Sequence, residues 1–199
     1  SVFNTGSDQA SIPIERAKLT LAAIFRLGML LLAVAIRLLS LESAASRSAS
    51  STIVSASGSS FSALVLEAML LLRNERVEFW FVGQRQMEVP VECLNNKQAR
   101  WLGGVPRGEA ARYYREADVF LFPTFSDGFG LTQLEAQAWK LPIIASRFCG
   151  DVVRDGINGV LLKEVSAKAI AEAIGSFLVD PGRLRSMSRN AILPANFGI

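Results

Sequence analysis

The stretch Glu116–Leu141, EADVFLFPTFSDGFGLTQLEAQAWKL, decides how this chain is read. Val119 to Phe122 is a short continuous apolar run with β-branched and aromatic content, closed by Pro123, and reads as a buried parallel strand. Leu131, Leu134, Ala138 and Leu141 recur at helical spacing, so a strand-to-helix turn carrying Gly128 and Gly130 lies between the two. Ligands of open α/β sheets settle at such turns. The glycines let the backbone approach a ligand, and the first N–H groups of the helix offer donors and a partial positive charge to a phosphate. Asp127 stands before the glycines and Glu135 one helical turn into the helix. Two carboxylates then flank one pocket and can accept hydrogen bonds from sugar hydroxyls. Phosphate together with sugar hydroxyls is the chemistry of a glycosyl nucleotide.

Outward from this turn, strands and helices alternate. Val77–Val82, closed by Gly83, reads as a second buried strand, and Gln84 to Lys97, with Pro90, as a loop plus a short helix. Ala99–Leu102 is a short strand ending on Gly103-Gly104-Val105-Pro106, and Arg107–Arg115 a helix whose arginines Arg107, Arg112 and Arg115 face solvent. Pro142–Ala145 and Val160–Leu162 complete the strands. A helix over Ser166–Leu178 is capped by Ser166, and a last basic helix lies near Arg183–Asn190. Trp139 and Cys149 are assigned to packing. This alternation predicts an α/β fold, a Rossmann-like doubly wound parallel sheet, over residues 52–199. Its first strand is expected at Thr52-Ile-Val-Ser-Ala, followed by a helix from about Ser62 to Leu72.

Residues 1–51 form an N-terminal extension of a different character. Ser1 to Asp8 has turn chemistry, and Ile14 to Leu41 reads as a greasy helix centred on Gly28 to Ile36 and bracketed by Arg26 and Arg37. A central arginine costs a spanning helix about 2.5 to 3.5 kcal/mol, so spanning is not expected. The two arginines would share one helical face, which suits a helix lying on a membrane surface or packed on the domain. Ser40 to Ser62 is Ser- and Ala-rich and reads mostly as linker.

The chain of 199 residues, 50% hydrophobic, can bury one full core. A net charge of +3 and a pI near 9.1 suit an anionic ligand or membrane surface and are too weak and scattered for a nucleic-acid partner. Cys93 and Cys149 lack CxxC spacing and the chain has no histidine, which argues against structural zinc and a disulfide scaffold. A reducing, cytoplasmic compartment follows. Without histidine, catalysis must rest on carboxylates or on the substrate. Ser55-Ala-Ser-Gly-Ser-Ser after the expected first strand does not supply the glycine pattern of a dinucleotide-binding oxidoreductase.

The line Trp101-Leu-Gly-Gly-Val-Pro, then Ala117-Asp-Val-Phe-Leu-Phe-Pro-Thr, Ser126-Asp-Gly-Phe-Gly-Leu and Glu135-Ala, resembles the donor-binding domain of GT-B glycosyltransferases of the family 4, or group 1, type. The resemblance continues through Pro142-Ile-Ile-Ala-Ser and Cys149-Gly-Asp-Val-Val-Arg-Asp-Gly-Ile-Asn-Gly, from near Thr52 to near Asp180. It implies transfer of a sugar from a nucleotide diphosphate sugar to an acceptor, with retention at the anomeric carbon, and with neither metal nor cofactor. The family's pair of acidic residues falls on Asp127, where Glu is more usual, and Glu135. By the same resemblance Asp127 would hold a sugar hydroxyl, and Gly128, Phe129, Gly130 and Leu131 would present backbone N–H groups to phosphate and sugar. Glu135 would accept from the ribose, and Gly104 and Val105 would meet the base. The family's diphosphate-binding Arg and Lys fall by register at Ser55 and Ser60. Two lost charge-assisted bonds of roughly 1.5 to 3 kcal/mol each weaken donor binding about a hundredfold or more. The length is about one half of a two-domain transferase, so the acceptor domain and closing helix are expected to be missing, and the isolated chain inactive. The alternative reading is a truncated, noncatalytic nucleotide-sugar-binding or membrane-surface module, peripheral at the inner face of a membrane.

Overall fold

The computed structural model describes residues 33–38, 61–83, 88–125 and 130–191. The expected strand at Thr52, the serines at 55 and 60, the linker, and Asp127, Gly128 and Phe129 all lie outside them. Among the described residues six strands form one sheet: β1 (Ala33–Leu38), β2 (Val77–Val82), β3 (Ala99–Gly103), β4 (Val119–Phe122), β5 (Ile143–Ala145) and β6 (Gly159–Leu161), in the order β3-β2-β1-β4-β5-β6. Between and after them lie helices α1 (Phe61–Leu71), α2 (Val91–Leu94), α3 (Arg107–Glu116), α4 (Leu131–Ala138), α5 (Ala167–Val179) and α6 (Pro181–Asn190). This is the strand order of the Rossmann fold.

Five of the six strands run parallel, as the alternation predicts, and β1 runs against them. It pairs antiparallel with β2, Ala33 opposite Val82 and Leu38 opposite Val77, and antiparallel with β4, Val34 opposite Leu121. The sequence reading put these residues inside a helix, and the structure corrects it. A continuous apolar run has no period that separates buried strand from buried helix. What decides the matter is long-range: β2 and β4 each present unpaired N–H and C=O groups on their facing edges, and a strand between them satisfies both rows. The helical face expected to carry both Arg26 and Arg37 therefore does not reach Arg37.

The strands are sandwiched between helices because their side chains alternate in direction. On one face Val77, Phe79 and Phe81 of β2 and Val119 and Leu121 of β4 pack against Val65 and Met69 of α1 and Ile170, Ile174 and Phe177 of α5. On the other, Trp80, Phe120, Phe122, Ile143 and Ala145 pack against Tyr114 of α3 and Leu134 and Ala136 of α4. All four residues of β4 are buried, which is why its sequence is a solid apolar run rather than an alternation. Each fully buried Phe or Ile here contributes about 1.5–3 kcal/mol of transfer free energy. Ser166 Oγ accepts from Ala169 N at 3.1 Å and caps α5 as expected; Asp180 Oδ1 does the same for Arg183 N at 3.0 Å at the head of α6. With β2 to β6 parallel, Val82, Gly103, Phe122, Ala145 and Leu161 all end on one edge of the sheet, and the loops of interest leave from there.

Candidate functional site

The turn from β4 into α4 closes on Gly130, the residue before the helix. Its backbone is left-handed, φ 64° and ψ 61°, a region that strains any residue with a Cβ. A Cβ there would also lie 2.7 Å from both the Phe122 ring and Gln133 Nε2. Glycine is needed twice over, for conformation and for space. Its carbonyl accepts from Gln133 N at 2.8 Å and so opens the first turn of α4, where Leu131 and Thr132 sit. The Thr132 hydroxyl oxygen is enclosed and has no hydrogen-bond partner among the described residues. A polar oxygen in that state is costly unless something else satisfies it.

Glu135, one turn further in, is only 3% exposed. Its Oε2 accepts a hydrogen bond from Tyr114 Oη at 2.8 Å. Tyr114 comes from the inner face of α3, so the pair ties α3 to α4 beneath the edge where the turn lies. Burial, then the charge of Glu135 and the hydrogen bond to it, hold the phenol well above its ordinary pKa of 10.0 and keep it a donor. A carboxylate has about four lone-pair sites, and the bond to tyrosine takes one of them. Sequence reasoning singled out Glu135 and did not name its partner Tyr114. The signal was two consecutive tyrosines inside an otherwise charged helix.

Neighbouring loops close around this edge. Ser146, at the exit of β5, donates from Oγ to the carbonyl of Thr124, at the exit of β4, and receives Phe148 N at 3.2 Å. The two strand exits are thereby clamped side by side, with Arg147 and Phe148 exposed on the loop. Cys149 bonds the Ser146 carbonyl at 3.4 Å, which fits its assignment to packing. Deeper in, Gln137 of α4 and Asn158 before β6 form a buried polar knot. Asn158 Nδ2 donates to Gln137 Oε1 and to the Val152 carbonyl, both at 3.1 Å, while its Oδ1 accepts from Arg154 N at 2.7 Å. Gly104 and Val105 leave β3 on the same edge, Gly104 exposed and Val105 half-buried. Arg112 pairs with Glu116 at 3.2 Å on the exposed face of α3, as a solvated arginine does. Among the described residues no cluster of His, Cys, Asp and Glu could hold a metal ion, and no helix is long and apolar enough to cross a membrane.

The strand order, the left-handed glycine at the head of α4 and the helices packed on both faces define a Rossmann-like α/β unit, the fold of one half of a GT-B protein. The family model for glycosyl transferases group 1 matches residues 62–193, and the chain belongs to that family. Among curated relatives, the D-inositol 3-phosphate glycosyltransferase of Kribbella flavida is 35% identical over 95 residues, 47% of this chain and 22% of the relative. That of Nocardia farcinica is 33% identical over 111 residues, 55% of this chain and 25% of the relative. The chain thus spans about a quarter or less of the relatives it matches. Among solved structures, sucrose-phosphate synthase from Thermosynechococcus elongatus superposes with a TM-score of 0.54 at 24% identity, covering 64% of this chain and 36% of that one. The pneumococcal O-GlcNAc transferase, solved with UDP and GlcNAc, gives 0.53 at 24% identity, covering 64% and 27%.

Proposed function

We propose that this chain binds the nucleotide diphosphate sugar of a glycosyl transfer that proceeds with retention at the anomeric carbon and without metal or cofactor. Membership of the group 1 family supports sugar transfer. The observation that carries the reading is the left-handed Gly130 opening the first turn of α4, with Glu135 buried one turn further in. In this reading the backbone N–H groups from Gly128 to Leu131 meet the phosphate and sugar, helped by the field of the helix N-terminus, and the enclosed Thr132 hydroxyl finds a partner in the ligand. Asp127 holds a sugar hydroxyl, Glu135 accepts from the ribose, and Gly104 and Val105 border the base. Rate then comes from positioning and from stabilising the leaving phosphate, with no side chain asked to act as a base.

Calorimetry with UDP- and GDP-sugars tests this. Wild type should bind one of them, and Glu135→Ala should lose the roughly 1.5 to 3 kcal/mol of a hydrogen bond to a charged group, about 10- to 150-fold in affinity. Equal binding by the variant refutes the site. A chain that binds liposomes and no nucleotide is the noncatalytic membrane-surface module instead.

A further inference from the structure

We infer that Tyr114 is a positioning residue for ribose recognition: its buried hydroxyl, on Glu135 Oε2 at 2.8 Å, fixes the carboxylate in the orientation that receives the ribose hydroxyls. The inference rests on the role of Glu135 proposed above and deepens it. A glutamate side chain has three torsions, and recognition of a vicinal diol by one carboxylate depends on the plane in which its two oxygens lie. Sites of this kind work when the contacting group is held within about 0.5 Å and 10–20° of its productive geometry by a second layer of bonds. Tyr114 supplies that layer. It reaches Glu135 from another helix, 21 residues away in sequence, and its ring leaves little play, being 8% exposed with its centroid 5.9 Å from that of Phe120. The phenol is a committed donor, because burial and the adjacent carboxylate both oppose its ionisation. The plane of the carboxylate is therefore set by a donor that stays protonated.

A tyrosine that served only to tie α3 to α4 would affect stability and leave ligand selectivity alone. The two roles separate in one experiment on the full chain: calorimetry of wild type and Tyr114→Phe with UDP and with 2′,3′-dideoxy-UDP. Wild type should prefer UDP by about tenfold or more, the value of hydrogen bonds to a charged acceptor. Tyr114→Phe should cut that preference to about two- or threefold while its affinity for the dideoxy nucleotide stays within about twofold of wild type. An unchanged preference in Tyr114→Phe overturns the role of Tyr114 and leaves the proposed function standing. Failure of wild type to bind UDP, or equal wild-type affinity for both nucleotides, overturns the reading of Glu135 and this inference with it. Should Tyr114→Phe not fold, a crystal structure of the wild-type complex with UDP decides. It must show the ribose hydroxyls on the Glu135 carboxylate with Tyr114 Oη still bonded to it, and a complex in which the tyrosine has let go overturns the inference.

Discussion

Replacing Gly130 by alanine sets two separate costs on one residue. The backbone at φ 64° costs an L-residue about 1–2 kcal/mol. The new methyl would lie 2.7 Å from Phe122 Cε1, 3.0 Å from Phe122 Cζ and 2.7 Å from Gln133 Nε2, and Phe122 is a buried core ring that cannot step aside freely. Overpacking of that kind costs about 1–3 kcal/mol, so the total is about 2–5 kcal/mol. Against a whole-domain stability of about 5–15 kcal/mol that loss is large. Gly156 separates the two terms: its φ is 75°, but a Cβ there meets nothing within 4 Å, so Gly156→Ala should cost only the backbone term of about 1–2 kcal/mol. Urea unfolding of the three proteins, followed by tryptophan fluorescence, gives the difference from the midpoints at a common slope. Gly130→Ala should lose about 1–3 kcal/mol more than Gly156→Ala. Equal losses at the two positions would refute the claim that Phe122 and Gln133 enclose the turn.

The polar knot gives a second expectation. Gln137→Ala and Asn158→Ala should each cost about 1–3 kcal/mol, because each strands buried partners, and the double variant should lose less than the sum by about 0.5–3 kcal/mol. Additive losses in a denaturant cycle would show that the two residues act separately. A third concerns the thiols. Cys93 is buried in the first core cluster, and burial, then the charge of Glu92, raises its pKa, so less of it is thiolate at neutral pH. Cys149 is half-buried near the sheet edge. A thiol-disulfide reagent followed by absorbance should label Cys149 first, and faster labelling of Cys93 would contradict its burial.

What the sequence disclosed and what it concealed divide along a physical line. Val119–Phe122 was readable because a strand buried on both faces must be apolar throughout, whatever its partners, and Val77–Val82 departs from that pattern only at Glu78. The cap at Ser166 was readable because capping is a contact between neighbours. Glu135 was singled out through its place in a local motif. Tyr114, Gln137 and Asn158 were not found, since each matters through a partner 21 residues away that only the packed helices bring near. The same reason hid β1: Val34 and Ile36 favour strand only weakly, and the edges that capture the segment belong to β2 and β4.

That capture makes the first strand a bridge. Among the described strands, β2 and β4 share no ladder, so β3-β2 and β4-β5-β6 are two ribbons joined across the sheet by the six residues of β1. A fragment trimmed to the family-matched region, starting after Phe61, would keep the described helices all but whole and lose the rung between the ribbons. It would bare two adjacent strand edges in the middle of the sheet, with Glu78 of β2 the sole charge on either strand to deter another chain from pairing. The segment outside the family's boundaries is thus what holds the two ribbons in one sheet and closes their inner edges against association with another copy.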